Sequence, residues 1–504
     1  MNEQLALLPS YLTAHLQLAL FALLAGVSIS VPLGVLVRRA PRFEQPLLGL
    51  ASVVQTIPSL ALLAAMVPLL AAVQLPSIGY LPAFIGLVLY SMLPILRNTI
   101  IGLAGIDPAV LEAARGVGMA PGQQLWRVEL PLALPVIVAG VRTSAVWTVG
   151  AATLSTPIGA QSLGNYIFGG LQTRNLDALL VGCAAAAALA LLLDALVRQV
   201  ALGIERRGRL RLLSAAGALV LLYVYAGVTL GQDAGAQARA RVVIGAKTFT
   251  EQYILSEILA AQLERRAGLA AELKQSLGST VAFDALSSGG IDVYVDYSGT
   301  IWATVMKREA QPGERSHVLA EVKRYLAGEH RIALVGTLGF ENAYALAMRR
   351  EQAQRLGIRR LSDLSRHSAG LSIGGDYEFF GRAEWRTLQR LYGLRFANQR
   401  SMDPSLMYQA AAQGTVDVIS AFSTDGRIAA LDLVVIEDDR GAIPPYDAII
   451  LAGRRLQERH PQALAALQAL VGAIDAETMR RMNRAVDEDG KSPAAVAHAF
   501  LKSR

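Results

Sequence analysis

The strongest constraint on this chain is a set of six long apolar stretches confined to its first half, at about 16–37, 47–73, 81–103, 132–152, 178–200 and 212–230. A helix needs roughly 20 mainly apolar residues to cross the ~30 Å hydrocarbon core of a bilayer. Inside that core every backbone N–H and C=O must be paired within the protein, so each stretch is expected to be a membrane-spanning helix. Pro58 and Pro68 fall in the second stretch, which is expected to be a kinked span. These Leu-, Ala- and Val-rich runs explain a hydrophobic content of 53%. Residues 241–504 read instead as a water-exposed α/β protein.

Charge sets the expected orientation. Arg38, Arg39 and Arg42 follow the first stretch, Arg115 and Arg127 the third, and Arg198, Arg206, Arg207, Arg209 and Arg211 the fifth. Arg174 is the clear exception in the opposite loops. Arginine-bearing loops stay in the cytoplasm. The amino terminus is then outside, and six crossings return the chain to the outside at residue 231. The net charge of +7 is largely this topological signal. No basic block interleaved with aromatics suggests nucleic acid.

The amino-terminal "MNEQLALLPSYL" lacks a basic start, so no cleaved signal peptide is expected. A single cysteine, Cys183, cannot build an intramolecular disulfide, a zinc cluster or a catalytic thiol pair. The six histidines (His15, His317, His330, His367, His460, His498) are scattered. No metal-ligand spacing, nucleophile elbow or catalytic dyad points to an enzyme. No G-x-x-x-x-G-K-[ST] occurs, so the chain has no P-loop with which to cradle ATP.

Residues 231–240, "GQDAGAQARA", are small and polar and read as a tether. Beyond them "RVVIGAK" reads as a strand, "EQYILSEILAAQLERRAG" as a helix and "AELKQSL" as a second strand. In "IDVYVDYSGT" Val293 and Val295 alternate with Tyr294 and Asp296, and the strand ends in a turn carrying Tyr297 and Thr300. "GLSIGGDYEFFG", "VDVISAFSTDG" and "LVVIEDD" read as further strands ending in polar or glycine-containing turns. Such alternation predicts an α/β domain whose ligand sits at the carboxyl ends of strands.

Residues 112–131, "EAARGVGMAPGQQLWRVELP", fall where the charge rule requires cytoplasm. Glu112, Ala113, Ala114, Gly118, Leu130 and Pro131 resemble the EAA loop of ABC-importer permeases, with Val128 where isoleucine is common. The resemblance implies a short coupling helix seated in a separate cytoplasmic ABC ATPase, which binds the ATP. With one copy supplying six spans, it also implies a homodimer around a shared pathway in membrane lipid. In the second half "KTFTEQYIL", "GST", "DYSGT", "ENAYALAM", "STDGRI" and "PPYDA" resemble, in order, the substrate-binding proteins of osmoprotectant ABC importers.

The two resemblances together match the fused chains of that importer class. They imply a membrane helical bundle (1–230) fused to a bilobed type II periplasmic-binding-protein domain (241–504). Lobe I would be about 241–345 with 445–504, and lobe II about 346–444. The implied function is ATP-dependent uptake of a quaternary ammonium compound across a bacterial cytoplasmic (inner) membrane, with glycine betaine or a similar carboxylated betaine first. Ergothioneine, carnitine and choline are the alternatives within the same machinery. A ligand-gated channel or receptor is the rival of another class, and the EAA-like loop argues against it.

A quaternary ammonium has no N–H, so aromatic faces must hold it, each worth roughly 0.5–2 kcal/mol. In that family the cage rings match Tyr297, Tyr344, Phe422 and Tyr446, with phenylalanine at 422 where tyrosine is usual. The carboxylate contacts match Lys247, Thr300 and Arg382, and Asn342 matches a position whose backbone carbonyl faces the methyl groups. Tyr377, Phe379 and Phe380 either line the pocket or pack beneath the Arg382 loop. Thr248, Gln252 and Asp425 are either pocket-edge residues or structural ones, Gln252 at a helix start and Asp425 in a turn. No metal and no resident cofactor are expected.

Overall fold

The computed structural model describes residues 2–73, 75–173, 175–206, 208–237, 241–308, 315–376 and 378–504. Arg174, Arg207, Tyr377 and the 238–240 part of the expected tether lie outside the described residues. The chain divides into two units, Met1–Phe168 with Asp177–Arg239, and Gly169–Leu176 with Ala240–Arg504.

The first unit is helical. Among the described residues, Leu7–Arg39, Tyr80–Ala104, Pro121–Ile158, Leu176–Glu205 and Arg209–Gln232 are long and apolar enough to cross a membrane. The second apolar stretch corrects the expectation of one kinked span. It forms two helices, Glu44–Thr56 and Ser59–Ala72, bent by 100°. Pro58 disfavours helical geometry in the residue before it, and Ile57 is extended at φ −70°, ψ 126°. At 13 and 14 residues, each piece is about 20 Å long, too short to cross alone. Counted as one span, the bent pair brings the number of candidate crossings from five to six.

Polar bonds lock the helices. Ser144 Oγ donates to the Ser91 carbonyl at 2.7 Å, and Ser30 Oγ to the Met92 carbonyl at 3.3 Å. Arg142, mid-helix in Leu130–Ala152, makes a two-pronged pair with Asp194 at 2.9 and 3.1 Å.

The last helix, Arg209–Gln237, continues through most of the segment expected to be a tether. Its Ala and Gln residues sustain a helix as readily as they would a flexible link. A topology test follows from that exposed helical end. In a Cys183→Ala background, Gln232→Cys should react with a membrane-impermeant maleimide in intact spheroplasts. Labelling only after permeabilisation would make the number of crossings odd.

The second unit contains two five-stranded sheets. The strands are β1 (Val242–Lys247), β2 (Ala271–Leu277), β3 (Val293–Tyr297), β4 (Ala333–Glu341), β5 (Tyr344–Arg349), β6 (Ser372–Gly375), β7 (Asn398–Ser401), β8 (Val418–Phe422), β9 (Leu433–Ile436) and β10 (Asp447–Ala452). Lobe I has the order β2-β1-β3-β10-β4, and lobe II β7-β6-β8-β5-β9. In each sheet four strands run in one direction, while β10 in lobe I and β5 in lobe II run against both of their neighbours.

The chain changes sheet twice, between β4 and β5 at Asn342-Ala343 and between β9 and β10. The first strand of the lobe II sheet along the chain, β5, begins at Tyr344. The crossings are tied together, Asn342 N donating to the Tyr446 carbonyl at 3.0 Å. Because β1 and β3 are parallel, both end on the same side, and Lys247 and Tyr297 emerge there together.

Candidate binding cleft

Four strand ends bring the aromatic residues together. Tyr297 closes β3, Phe422 closes β8, Tyr344 opens β5 directly opposite Phe422, and Tyr446 immediately precedes β10. Ring centroids lie 5.1 Å apart for Tyr344 and Phe422, and 5.9 Å for Tyr344 and Tyr446, the latter pair at 80°. A fifth ring, Phe249, stacks on Phe422 at 5.7 Å and on Tyr297 at 6.1 Å. Phe249 leaves the same strand end as Lys247, and nothing in "KTFTEQ" alone marks it as a wall residue. The five rings form one continuous aromatic wall reaching from lobe I to lobe II.

Tyr446 is held on two sides. Its hydroxyl donates to the buried Glu384, and its ring lies flat against the turn after β3. A Cβ on Gly299 would sit 2.5 Å from Tyr446 Cδ2 and Cε2, so only glycine lets the ring approach. Thr300, next in that turn, is buried. Burial and the Glu384 carboxylate both push the Tyr446 phenol up, so it stays a donor.

The two cations differ. The Arg382 guanidinium lies 5.0 Å over the Tyr344 ring. It pairs with Glu378 at 2.7 Å and Glu384 at 3.6 Å, while its Nε and one terminal nitrogen have no hydrogen-bond partner among the described residues. A buried guanidinium with unused donors is what a carboxylate would satisfy. Lys247 has a carboxylate partner inside its own lobe. It is buried against Asp296, which also accepts from the Tyr294 hydroxyl at 2.5 Å and the Tyr297 amide at 2.7 Å. Its charge is met within lobe I, and its ammonium stands 5.4 Å from the Tyr297 ring centroid.

The residues left open between pocket and scaffold separate clearly. Phe379 is fully buried against Tyr344 and Trp385, and Phe380 packs on both Phe379 and Trp385. Gln252 accepts from the Lys247 amide at 3.3 Å and donates to the Tyr297 hydroxyl at 3.0 Å, so it braces the cleft from the helix Thr250–Ala267. Asp425 sits in a turn and makes a two-pronged pair with Arg427 at 2.9 and 2.6 Å. Thr248 is half-buried.

The residue that sequence reasoning missed altogether is Glu251, 2% exposed. It accepts from the Tyr297 hydroxyl at 2.5 Å, Asn342 Nδ2 at 3.0 Å, the Thr424 hydroxyl at 2.5 Å and Asn483 Nδ2 at 3.3 Å. Burial pushes its carboxyl up from the usual carboxylate range, and these four donors pull it back. Asn342 thus spends its side-chain donor on Glu251. A cavity of ≈ 20 Å³ lined by Phe249, Glu251, Asn342, Phe422 and Thr424, among others, has room for about one water.

An aromatic wall and a buried guanidinium between two sheets, on a chain with a helical membrane unit, define the receptor of an importer joined to its permease. The comparisons agree. Residues 240–503 match the substrate-binding domain of the ABC-type glycine betaine transport system, and residues 26–208 match the inner-membrane component of binding-protein-dependent transport systems.

An ergothioneine transport permease/ergothioneine binding protein of Helicobacter pylori is 32% identical over 471 residues, covering 90% of this chain and 83% of the relative. A carnitine transport binding protein of Listeria monocytogenes is 30% identical over 272 residues, covering 53% and 88%. A choline transport system permease protein of Bacillus subtilis is 42% identical over 180 residues, covering 36% and 80%. A solved structure titled as a glycine betaine/carnitine/choline ABC transporter aligns with 52% of this chain and 98% of its own at 31% identity, with a TM-score of 0.46.

This chain belongs to the ABC-type glycine betaine transport family, as a fused permease and substrate-binding protein. It is a membrane transporter subunit, and the family implies a partner ATPase, a small ligand and an extracytoplasmic binding domain.

Proposed function

We propose that the cleft takes a carboxylated quaternary amine, glycine betaine or a similar betaine, for ATP-driven uptake across a bacterial cytoplasmic membrane. The observation that carries this reading is the guanidinium of Arg382 with unused donors, standing over a ring of the aromatic wall. Tyr297, Tyr344, Phe422 and Tyr446, with Phe249, receive the methylated nitrogen. Arg382, with Thr300, receives the carboxylate. The same ends suit ergothioneine, also a carboxylated trimethylammonium, and the H. pylori relative matched over 90% of this chain favours that second ligand. Two chains around one pathway, with two ATPase subunits on the Glu112–Pro131 loops, complete the proposed assembly.

Titration of the purified full-length protein with glycine betaine, ergothioneine, carnitine and choline tests the reading. Choline fills the cage but offers no carboxylate to the unused donors of Arg382. Each charge-assisted hydrogen bond that choline forfeits is worth about 1.5–3 kcal/mol, so choline should bind far more weakly. Arg382→Ala should weaken the carboxylated ligands selectively, and Tyr344→Ala should weaken every quaternary ligand. Equal binding of choline and glycine betaine by the wild type would refute the assignment.

A further inference from the structure

Glu251 is a buried carboxylate in the cleft wall whose hydrogen bonds, among the described residues, all come from neutral side chains. Lys247 answers Asp296, Arg382 answers Glu378 and Glu384, and Arg427 answers Asp425. Glu251 answers a phenol, an alcohol and two amides. These donors come from separate parts of the domain. Tyr297 ends a lobe I strand, Asn342 stands at the crossing between sheets, Thr424 follows the lobe II strand β8, and Asn483 lies on the helix Ala476–Asp487. Asn483 Nδ2 also reaches the Thr424 carbonyl at 3.0 Å. The Thr424 bond thus joins the helix Thr250–Ala267 to the segment that follows β8.

We propose that Glu251 is a positioning residue that couples lobe closure to the positive charge of the ligand. The proposal rests on the quaternary-ammonium reading of the cleft and adds how that cation is sensed. Bringing the lobes together strips water from a carboxylate that no protein cation neutralises, which is costly for an isolated ion. A cation enclosed by Tyr297, Phe249 and Phe422 stands one hydrogen-bonded ring away from that carboxylate. In a water-poor cleft a field acting across such a distance is weakly screened. The closed cleft is then favoured with a cation inside and disfavoured when empty. A neutral molecule of the same shape fills the same volume and leaves the buried charge unanswered.

The test uses the purified full-length protein and two probes of matched shape, choline and its uncharged carbon analogue 3,3-dimethylbutan-1-ol. Glu251→Gln keeps the shape and removes the charge. The wild type should prefer choline strongly, and Glu251→Gln should shrink that preference about tenfold or more. Thr424→Val removes the lobe II bond but keeps the charge, so it should speed dissociation of both probes while leaving their ratio in place.

Fluorophores at Arg266→Cys on lobe I and Gln354→Cys on lobe II, in a Cys183→Ala background, report closure without ligand. The empty Glu251→Gln protein should be closed more often than the empty wild type. An unchanged choline preference in Glu251→Gln, or an unchanged empty-state distance distribution, overturns the proposal. A wild type that binds no carboxylated betaine but keeps its preference for choline over the alcohol refutes the ligand assignment and sustains the Glu251 role.

Discussion

Gly299→Ala is expected to weaken binding of every quaternary ligand roughly 10–100-fold while leaving the domain folded. The added Cβ would stand 2.5 Å from two carbons of the Tyr446 ring. Ordinary van der Waals contact needs about 3.5 Å or more, so the ring has to move by about 1 Å. Tyr446 cannot move freely, because its hydroxyl is held by Glu384 and its ring stands edge-on to Tyr344 at 5.9 Å. Overpacking of this kind costs about 1–3 kcal/mol, and each 1.4 kcal/mol is tenfold in affinity. The strain falls on the wall of the cleft rather than on a sheet core, so far-ultraviolet circular dichroism should be unchanged. Titration with glycine betaine or ergothioneine is the measurement, and wild-type affinity would mean that Tyr446 does not form part of the cage.

The second large effect is expected in the helical unit. The helix Pro108–Gly116 is capped by Asp107, whose carboxylate accepts the Ala109 amide at 2.9 Å, and it carries Glu112, Ala113 and Ala114. The chain then turns at Gly118, whose φ is +81°, with the Gly118 amide donating to the Arg115 carbonyl and the Met119 amide to the Ala114 carbonyl. A β-branched residue is a marked outlier at such a φ, and holding it there costs of order 1–3 kcal/mol. Nothing lies within 4 Å of a Cβ at Gly118, so the penalty is conformational rather than steric against a neighbour.

Gly118→Val should therefore reshape the loop proposed to reach the ATPase without disturbing the packing around it. Transport by proteoliposomes with the ATPase subunit should fall to near background, with ligand affinity unchanged. Normal transport by Gly118→Val would remove the coupling role from this loop.

The parts of the molecule that could be read from the sequence are those with a local signature. Leucine-rich runs of membrane length, the arginine bias, the glycine at the turn after Ala114 and the aromatics at strand ends all reflect requirements of a few neighbouring residues. Pairings fixed only by the sheet were not legible. Lys247 and Asp296 are 49 residues apart, and nothing near either shows that parallel strands will set them side by side. Taken alone, Lys247 looks like a free cation at a strand end.

Glu251 reads as an ordinary first-turn acidic residue of a helix, because its four donors come from positions 297, 342, 424 and 483. Phe249 is similar, since its place in the wall depends on rings from both lobes. The break at Pro58 was visible as a proline, but the 100° bend depends on how the two short helices pack. At 231–237 composition was an ambiguous guide, since small polar residues suit both a tether and the end of a helix.

The run of helix to Gln237, followed at Val242 by the first strand of the receptor, also fixes stoichiometry. A receptor released into solution can be made in excess of its permease and can gather ligand at a distance. Here translation makes one receptor for each permease chain, so the number of loaded receptors can never exceed the number of permease chains. Docking becomes an intramolecular event at an effective concentration on the order of millimolar, independent of how dilute the protein is. Scarce ligand can then be captured faster only through tighter binding or more complete transporters, and the turnover of each molecule sets the ceiling on uptake.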